Sequence, residues 1–240
     1  MPVSAEEVRD IYNRVAEAHH AKLLDLADSA WNAAERHAML ELIGDCSGKS
    51  VADIACGSGI ITPELFRLGA ARVAGIDFAE EQVRIAARGN PKALFAAGDA
   101  LALPLASGEF DLAFSSYFIH YLKPEELAEH FKEVGRILKP GSAYHFSTDN
   151  PKYVDCLLGA EGKGSRTYDW EMNSKGTLLF KMTSYLHSPE ELAIAARAGG
   201  FGPLSSSEPG PPEFLRELAP EYYGFASKVP TLIIWSAVKG

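Results

Sequence analysis

Short apolar runs alternate with helical patterns along most of this chain. After Ser4, which can form a capping box with Glu7, apolar residues recur at helical spacing. They are Val8, Ile11 and Val15, then Leu23, Leu24, Ala27 and Trp31, then Met39, Leu40 and Ile43. Helix is expected over 4–43, with Gly44 and Gly48 breaking the pattern. Residues 51–55 (VADIA) read as a buried strand with one acid inside. Gly57-Ser58-Gly59 turns the chain, and 60–68 reads as a helix with Pro63 in its first turn. The cycle then repeats. Strand is expected over 73–76, ending at Asp77, then helix over 79–88 and strand over 93–97. Strand over 110–115, helix over 124–138 and strand over 143–148 follow.

After Thr148 the pattern changes. Residues 149–175 are rich in Gly, Lys, Asp and Asn, with Tyr153, Tyr168 and Trp170 among them, and read as an insertion. Residues 177–185 are extended, and Ser188-Pro189-Glu190-Glu191 opens a helix to about 198. Residues 202–212 are mostly Gly, Pro and Ser and read largely as loop. The closing strand pair is placed at 202–208 and 229–238, one of them antiparallel, with Pro230 suiting a first or edge position. Strands and helices at βαβ spacing predict an α/β fold: a Rossmann-like, doubly wound, mostly parallel sheet of about seven strands with an N-terminal helical cap. One domain is expected over 1–240. Its parts are a cap (1–48), a core (49–148), an insertion over the site (149–187) and a closing helix and strands (188–240).

The 240 residues, 47% apolar and 23% charged, have ordinary globular composition and suffice for a sizeable core without disulfides or a structural metal. Acids outnumber bases 32 to 23, for a net charge of −9. Nucleic acid is therefore a poor partner, because its binding rests on Lys and Arg neutralising phosphates. Cys46, Cys56 and Cys156 show no metal-ligand spacing, and no metal is expected. Sparse cysteine, no visible leader and no apolar run of membrane-spanning length lead to an expected cytoplasmic location without membrane insertion. Monomer and homodimer remain open.

The sharpest chemical signal is VADIACGSG at 51–59, between a strand and a helix. Its glycines let the backbone turn tightly and approach a ligand at a helix N-terminus. Asp77 closes the second strand, where a carboxylate can accept from both ribose hydroxyls. Asp99, after the third strand, is placed for an adenine amino group. A nicotinamide oxidoreductase is the natural rival. Its G-x-G-x-x-G/A fingerprint fails at Thr62, and Asp53 stands where that fingerprint is apolar.

VADIACGSG is similar to the first motif, VLDLGCGTG, of the class I S-adenosylmethionine-dependent methyltransferases. VAGIDFAEEQVRIAA (73–87) resembles their second motif, GDALALPLASGEFDLAFSSYFIHYL (98–122) the third and fourth, and RILKPGSAYHFST (136–148) the fifth. The nearest resemblance is to the small-molecule branch with the ubiquinone/menaquinone-type and natural-product enzymes. Ala55 and Ser142 replace glycines usual in that family. The resemblance implies S-adenosyl-L-methionine as cofactor, S-adenosyl-L-homocysteine as product and a small organic acceptor methylated on oxygen, nitrogen or carbon. It implies that Ala55, Gly57 and Gly59 line the methionine end, with Asp53 a useful carboxylate nearby. Asp77 would hold the ribose, Phe78 would flank the adenine, and Asp99 and Ala100 would read its edge. Ser115 would face the methionine group, and Tyr12 would close over the cofactor.

Methyl transfer mostly needs alignment and exclusion of water, with a base only where the acceptor must lose a proton. His120, just past the fourth strand, is the first candidate base; His145 and Asp149, on and after the fifth, are the others, although a buried core histidine explains His145 better and Asp149 could simply form a turn. His187, before a helix N-cap, could face the site or the loop, and His19-His20 could close over the substrate, although a solvated helix face explains them better. Tyr117, Tyr153, Trp170 and Tyr185 could wall a substrate, although core packing explains any single one. Asn150-Pro151-Lys152-Tyr153 superficially matches the NPPY of adenine-N6 methyltransferases but follows the wrong strand. Gly159–Ser165 superficially matches a phosphate loop but lacks its register. The rival within this fold is a protein that binds the same cofactor without methylating, as a cyclase, isomerase or regulator.

Overall fold

The computed structural model describes residues 4–162 and 166–240. Two helices open the chain, α1 (Ala5–Leu24) and α2 (Ala30–Ile43), where the pattern predicts one helical stretch. Asp25 leaves helical geometry, and the amide and hydroxyl of Ser29 both donate to its carbonyl (2.9 and 2.8 Å), which turns the chain. The expected Ser4–Glu7 capping box forms at the start of α1.

Four parallel strands follow with their helices: β1 (Ser50–Ile54), α3 (Thr62–Arg67), β2 (Arg72–Asp77), α4 (Glu80–Gly89), β3 (Leu94–Ala97) and β4 (Phe110–Ser115). Next come α5 (Leu127–Ile137) and β5 (Leu138–Asp149), a fifth strand longer than expected. The stretch expected as an insertion holds α6 (Pro151–Gly162) and β6 (Thr167–Ser174), which pairs with β7 (Thr177–Tyr185) in a separate hairpin. The Gly159–Ser165 stretch ends outside the described residues. The chain closes with α7 (Pro189–Ala198), β8 (Ser205–Ser207), α8 (Leu215–Leu218), α9 (Pro220–Ala226) and β9 (Leu232–Val238). The two short helices α8 and α9 are absent from the sequence reading.

The seven strands lie in the order β3-β2-β1-β4-β5-β9-β8, and β9 runs antiparallel to β5 and β8. Side chains alternate across this sheet. Ala52, Ile54, Ala74, Ile76, Ala113 and Tyr144 face a core with α5 and α7. Val51, Val73, Leu112, Phe114 and Ile234 face a second core with α2 and α3. On β1 the second face runs from Val51 to Asp53, so one acid interrupts an otherwise apolar surface. Above the C-terminal strand ends, α1 and the hairpin form a roof through Val8, Val15, Met172, Phe180 and Met182. The α1–α2 corner clasps the hairpin turn, where Asp28 accepts from the Ser174 hydroxyl (2.6 Å) and the Lys175 amide (3.1 Å).

Candidate active site

A cavity of about 1090 Å³ lies between that roof and the strand ends. Small-molecule pockets run to about 300–1,000 Å³, so this one has room for a nucleoside-sized ligand and a second molecule beside it. Crevices at the carboxyl ends of strands are where open α/β sheets bind ligands.

At one end lies the turn after β1. Ala55 (φ 59°), Gly57 (φ 52°) and Gly59 (φ 69°) are all left-handed. A side chain at Gly59 would also meet Ala86, Asn90 and Phe95 at 3.0–3.2 Å. Ala55 bears the steric cost that glycine would avoid, of order 1–3 kcal/mol, which persists only where the surroundings impose it. Asp77 fixes the turn by accepting from the Gly57 amide (2.8 Å) and from Ala79 (2.9 Å). Burial pushes its carboxyl up to about 6, against those amides. Asp53 is 3% exposed, lines the cavity and receives no hydrogen bond from the described residues. Burial, then the charges of Asp77 and Glu35, push it well above the carboxylate range. An orphaned acid beside a glycine turn fits a ligand that brings its own cation. Phe78, Asp99 and Ala100 also line this end; Asp99 accepts from the Leu101 amide (2.8 Å) and Ala100 offers its carbonyl to His130 (3.1 Å).

Tyr12 reaches in from α1, its hydroxyl 2.7 Å from that of Tyr121, and burial pushes its phenol pKa up, which keeps it neutral. The same helix places His19 and His20 differently from the expected solvated face. His19 is buried, lines the cavity and meets Gln82 at 3.3 Å, with burial driving it down to about 4. His20 meets the Ser58 hydroxyl at 2.9 Å. The series Val8, Tyr12, Val15, His19 and Leu23, at spacings of three and four, carries that signal in the sequence.

At the other end His120 is 5% exposed, with Nδ1 3.5 Å from Asp149 Oδ2. Asp149 Oδ2 also accepts from the Tyr168 hydroxyl. Burial lowers the His120 pKa and the Asp149 charge partly restores it. Trp31, Tyr117, Tyr153, Trp170 and Tyr185 complete this wall. Tyr117 is again left-handed (φ 48°), its amide donating to Ser147 Oγ (2.8 Å).

Two expected site residues lie elsewhere. Ser115 alternates onto the α5 face with Ala113, and its hydroxyl sits 2.7 Å from that of Tyr144; the cavity is lined instead by Ser116. His145 is mid-strand under α2 and does not line the cavity; burial, then Lys49, lower it to about 4. His187 is likewise outside the cavity lining, with Nε2 3.2 Å from the Ile119 carbonyl. Asn150 forms an ordinary turn, its Oδ1 accepting from the Lys152 amide (2.9 Å).

Glu35 was missed in the sequence. It stands on α2 over β4 and β5, 2% exposed, with Oε1 unpartnered. Burial raises it to about 7, while Ser147 and Ser116 hydroxyls and the Arg36 charge pull the other way.

The family described as "Methyltransferase domain" matches residues 51–141, which hold the glycine turn, Asp53, Asp77 and His120. That stretch is a methyltransferase domain. Over 148 residues it is 31% identical to the demethylmenaquinone methyltransferase of Lactococcus lactis, covering 58% of this chain and 57% of the relative. Over 174 residues it is 30% identical to the ubiquinone biosynthesis O-methyltransferase of Bordetella avium, covering 68% and 66%. The chain thus spans somewhat less than two thirds of these relatives. The methyltransferase domain and its additions superpose on the S-adenosylmethionine dependent methyltransferase from Mesorhizobium loti with a TM-score of 0.67. That match is at 23% identity and covers 86% of this chain and 98% of the other, a likeness of fold.

Proposed function

We propose that the protein transfers a methyl group from S-adenosyl-L-methionine to a small organic acceptor, with S-adenosyl-L-homocysteine as product. The observation that carries this is the orphaned Asp53 carboxylate beside the left-handed Ala55–Gly59 turn, with Asp77 at the next strand end. The bound cofactor supplies an electrophilic methyl on a sulfonium. Asp53 faces its ammonium, the Ala55, Gly57 and Gly59 backbone lines its methionine end, and Asp77 holds the ribose. Phe78, Asp99 and Ala100 enclose the adenine. Tyr12 and the hairpin cover the cavity and exclude water, so alignment supplies much of the rate.

The acceptor occupies the aromatic half. His120 enters neutral because burial disfavours its cation, and Asp149 stabilises the imidazolium that forms when a proton arrives. In this reading 49–148 binds the cofactor and supplies His120, 1–48 and 149–187 cover the site and select the acceptor, and 188–240 closes the sheet within one domain. The setting is cytoplasmic, in primary or secondary metabolism. Incubation with cofactor labelled in the methyl group and a pool of small metabolites tests the reading. Label in a new small product supports it; a changed metabolite without label points to a cyclase or isomerase instead.

A further inference from the structure

Among the described residues nine carboxylates and four basic side chains line the cavity. Most of these acids have a partner or a place in the cofactor end: Glu6 pairs with Arg9, Glu126 with Lys123 and Glu171 with Lys181, and Asp99 lies at the adenine edge. Asp53 and Asp77 belong to the cofactor end, and Asp149 is engaged by Tyr168 and His120. Glu35 is left over. It is buried, one oxygen has no partner, and the residue is part of the cavity lining. Lys22 is turned to Asp28 (3.6 Å), and the Arg36 charge offsets only part of the cost of burying Glu35. A carboxylate held this way calls for a positive partner.

Its surroundings say what kind. Trp31 precedes Glu35 by one turn on the same face of α2, and its ring lies 4.8 Å from that of Tyr153. Tyr117 is near enough for the charges of both Asp149 and Glu35 to act on its hydroxyl. Aromatic faces beside a carboxylate are the chemistry that holds an organic cation. Within the methyl-transfer reading above, on which this rests, we propose that the acceptor is a primary or secondary amine on an apolar body. It binds as its ammonium between Glu35 and the rings of Trp31, Tyr117 and Tyr153. Carboxylate or phosphate acceptors meet an acidic lining and are disfavoured.

In the transfer, the ammonium gives one proton to His120. The freed lone pair forms the N–C bond as the C–S bond breaks, and that bonding pair stays on sulfur. The methylated ammonium carries the charge the sulfonium has lost, and the His120 proton passes to solvent as product leaves.

Calorimetric titration of the full chain saturated with S-adenosylhomocysteine tests this. The probes are 2-phenylethylamine, 2-phenylethanol and 3-phenylpropanoate. The amine should bind roughly tenfold or more tighter than the alcohol, as a charge-assisted contact provides, and the carboxylate weakest. Glu35→Gln should remove most of that preference and leave affinity for S-adenosylhomocysteine and the alcohol unchanged; Glu35→Asp should retain part of it. Equal binding of amine and alcohol, binding of none of the three, or a matching loss of S-adenosylhomocysteine affinity in Glu35→Gln overturns the amine assignment. Failure of S-adenosylhomocysteine to bind the unaltered chain overturns both it and the methyl-transfer reading.

Discussion

Glu35→Gln should stabilise the ligand-free protein at pH 8 and do far less at pH 5. The side chain is buried, and its pKa is raised from the ordinary 4.5 to about 7. Below 4.5 the acid is protonated in folded and unfolded chains alike, and no penalty arises. Between the two values the folded chain holds a proton that the unfolded chain has released, so stability falls as pH rises. Above about 7 both are ionised and the folded state carries the full cost. At about 1.36 kcal/mol per unit, the shift corresponds to about 3 kcal/mol at pH 8 and under about 1 kcal/mol at pH 5. Glutamine keeps the shape and cannot ionise. Its amide adds a roughly pH-independent desolvation cost of about 1 kcal/mol. The advantage of the variant should therefore grow by about 2–3 kcal/mol from pH 5 to pH 8, or roughly 4–12 °C in Tm for a chain of this size. Urea denaturation of both proteins at several pH values measures it. A difference independent of pH, or one that favours the parent more as pH rises, would refute the claim that Glu35 is buried without an ion-pair contact.

Other outcomes follow from the same geometry. Gly59→Ala places a Cβ 3.0–3.2 Å from Ala86, Asn90 and Phe95 at φ 69°; chemical denaturation should show a loss of about 2–4 kcal/mol. Asp77→Asn weakens the anchor for the Gly57 and Ala79 amides and for the ribose; S-adenosylhomocysteine affinity should fall about tenfold to a hundredfold by calorimetry. His120→Gln should lower kcat for a proton-bearing acceptor by about 10²–10⁴ and leave cofactor affinity intact, measured by methyl transfer and titration. Asp53→Asn should weaken binding of S-adenosylhomocysteine but leave that of adenosine, which lacks the ammonium, unchanged.

The core was legible because its signals are local. Apolar runs at βαβ spacing located β1 to β5, and the glycine turn and acids at strand ends located one rim of the cavity. The cap was harder. Glu35 sits in AWNAAERHAMLELI, where alanines around the helix allow burial on several sides, and Ala33, Ala34 and Ala38 are indeed buried around it. A charged residue in such a helix reads as a solvated position unless its packing partners are known, and those come from α8 and α9, far along the chain. Ser115 was misplaced by one residue. Strand alternation sends it to the α5 side and gives the cavity to Ser116, a distinction that depends on which face of β4 the site occupies. His145 fails by the same geometry: it lies on the right strand but below the rim.

The most direct measurement is calorimetric titration of the purified chain with S-adenosylhomocysteine. The account predicts one site of micromolar Kd, because the glycine turn, Asp77 and the Asp53 carboxylate are already in place in the fold. No binding at millimolar ligand, from protein shown to be folded, would contradict it.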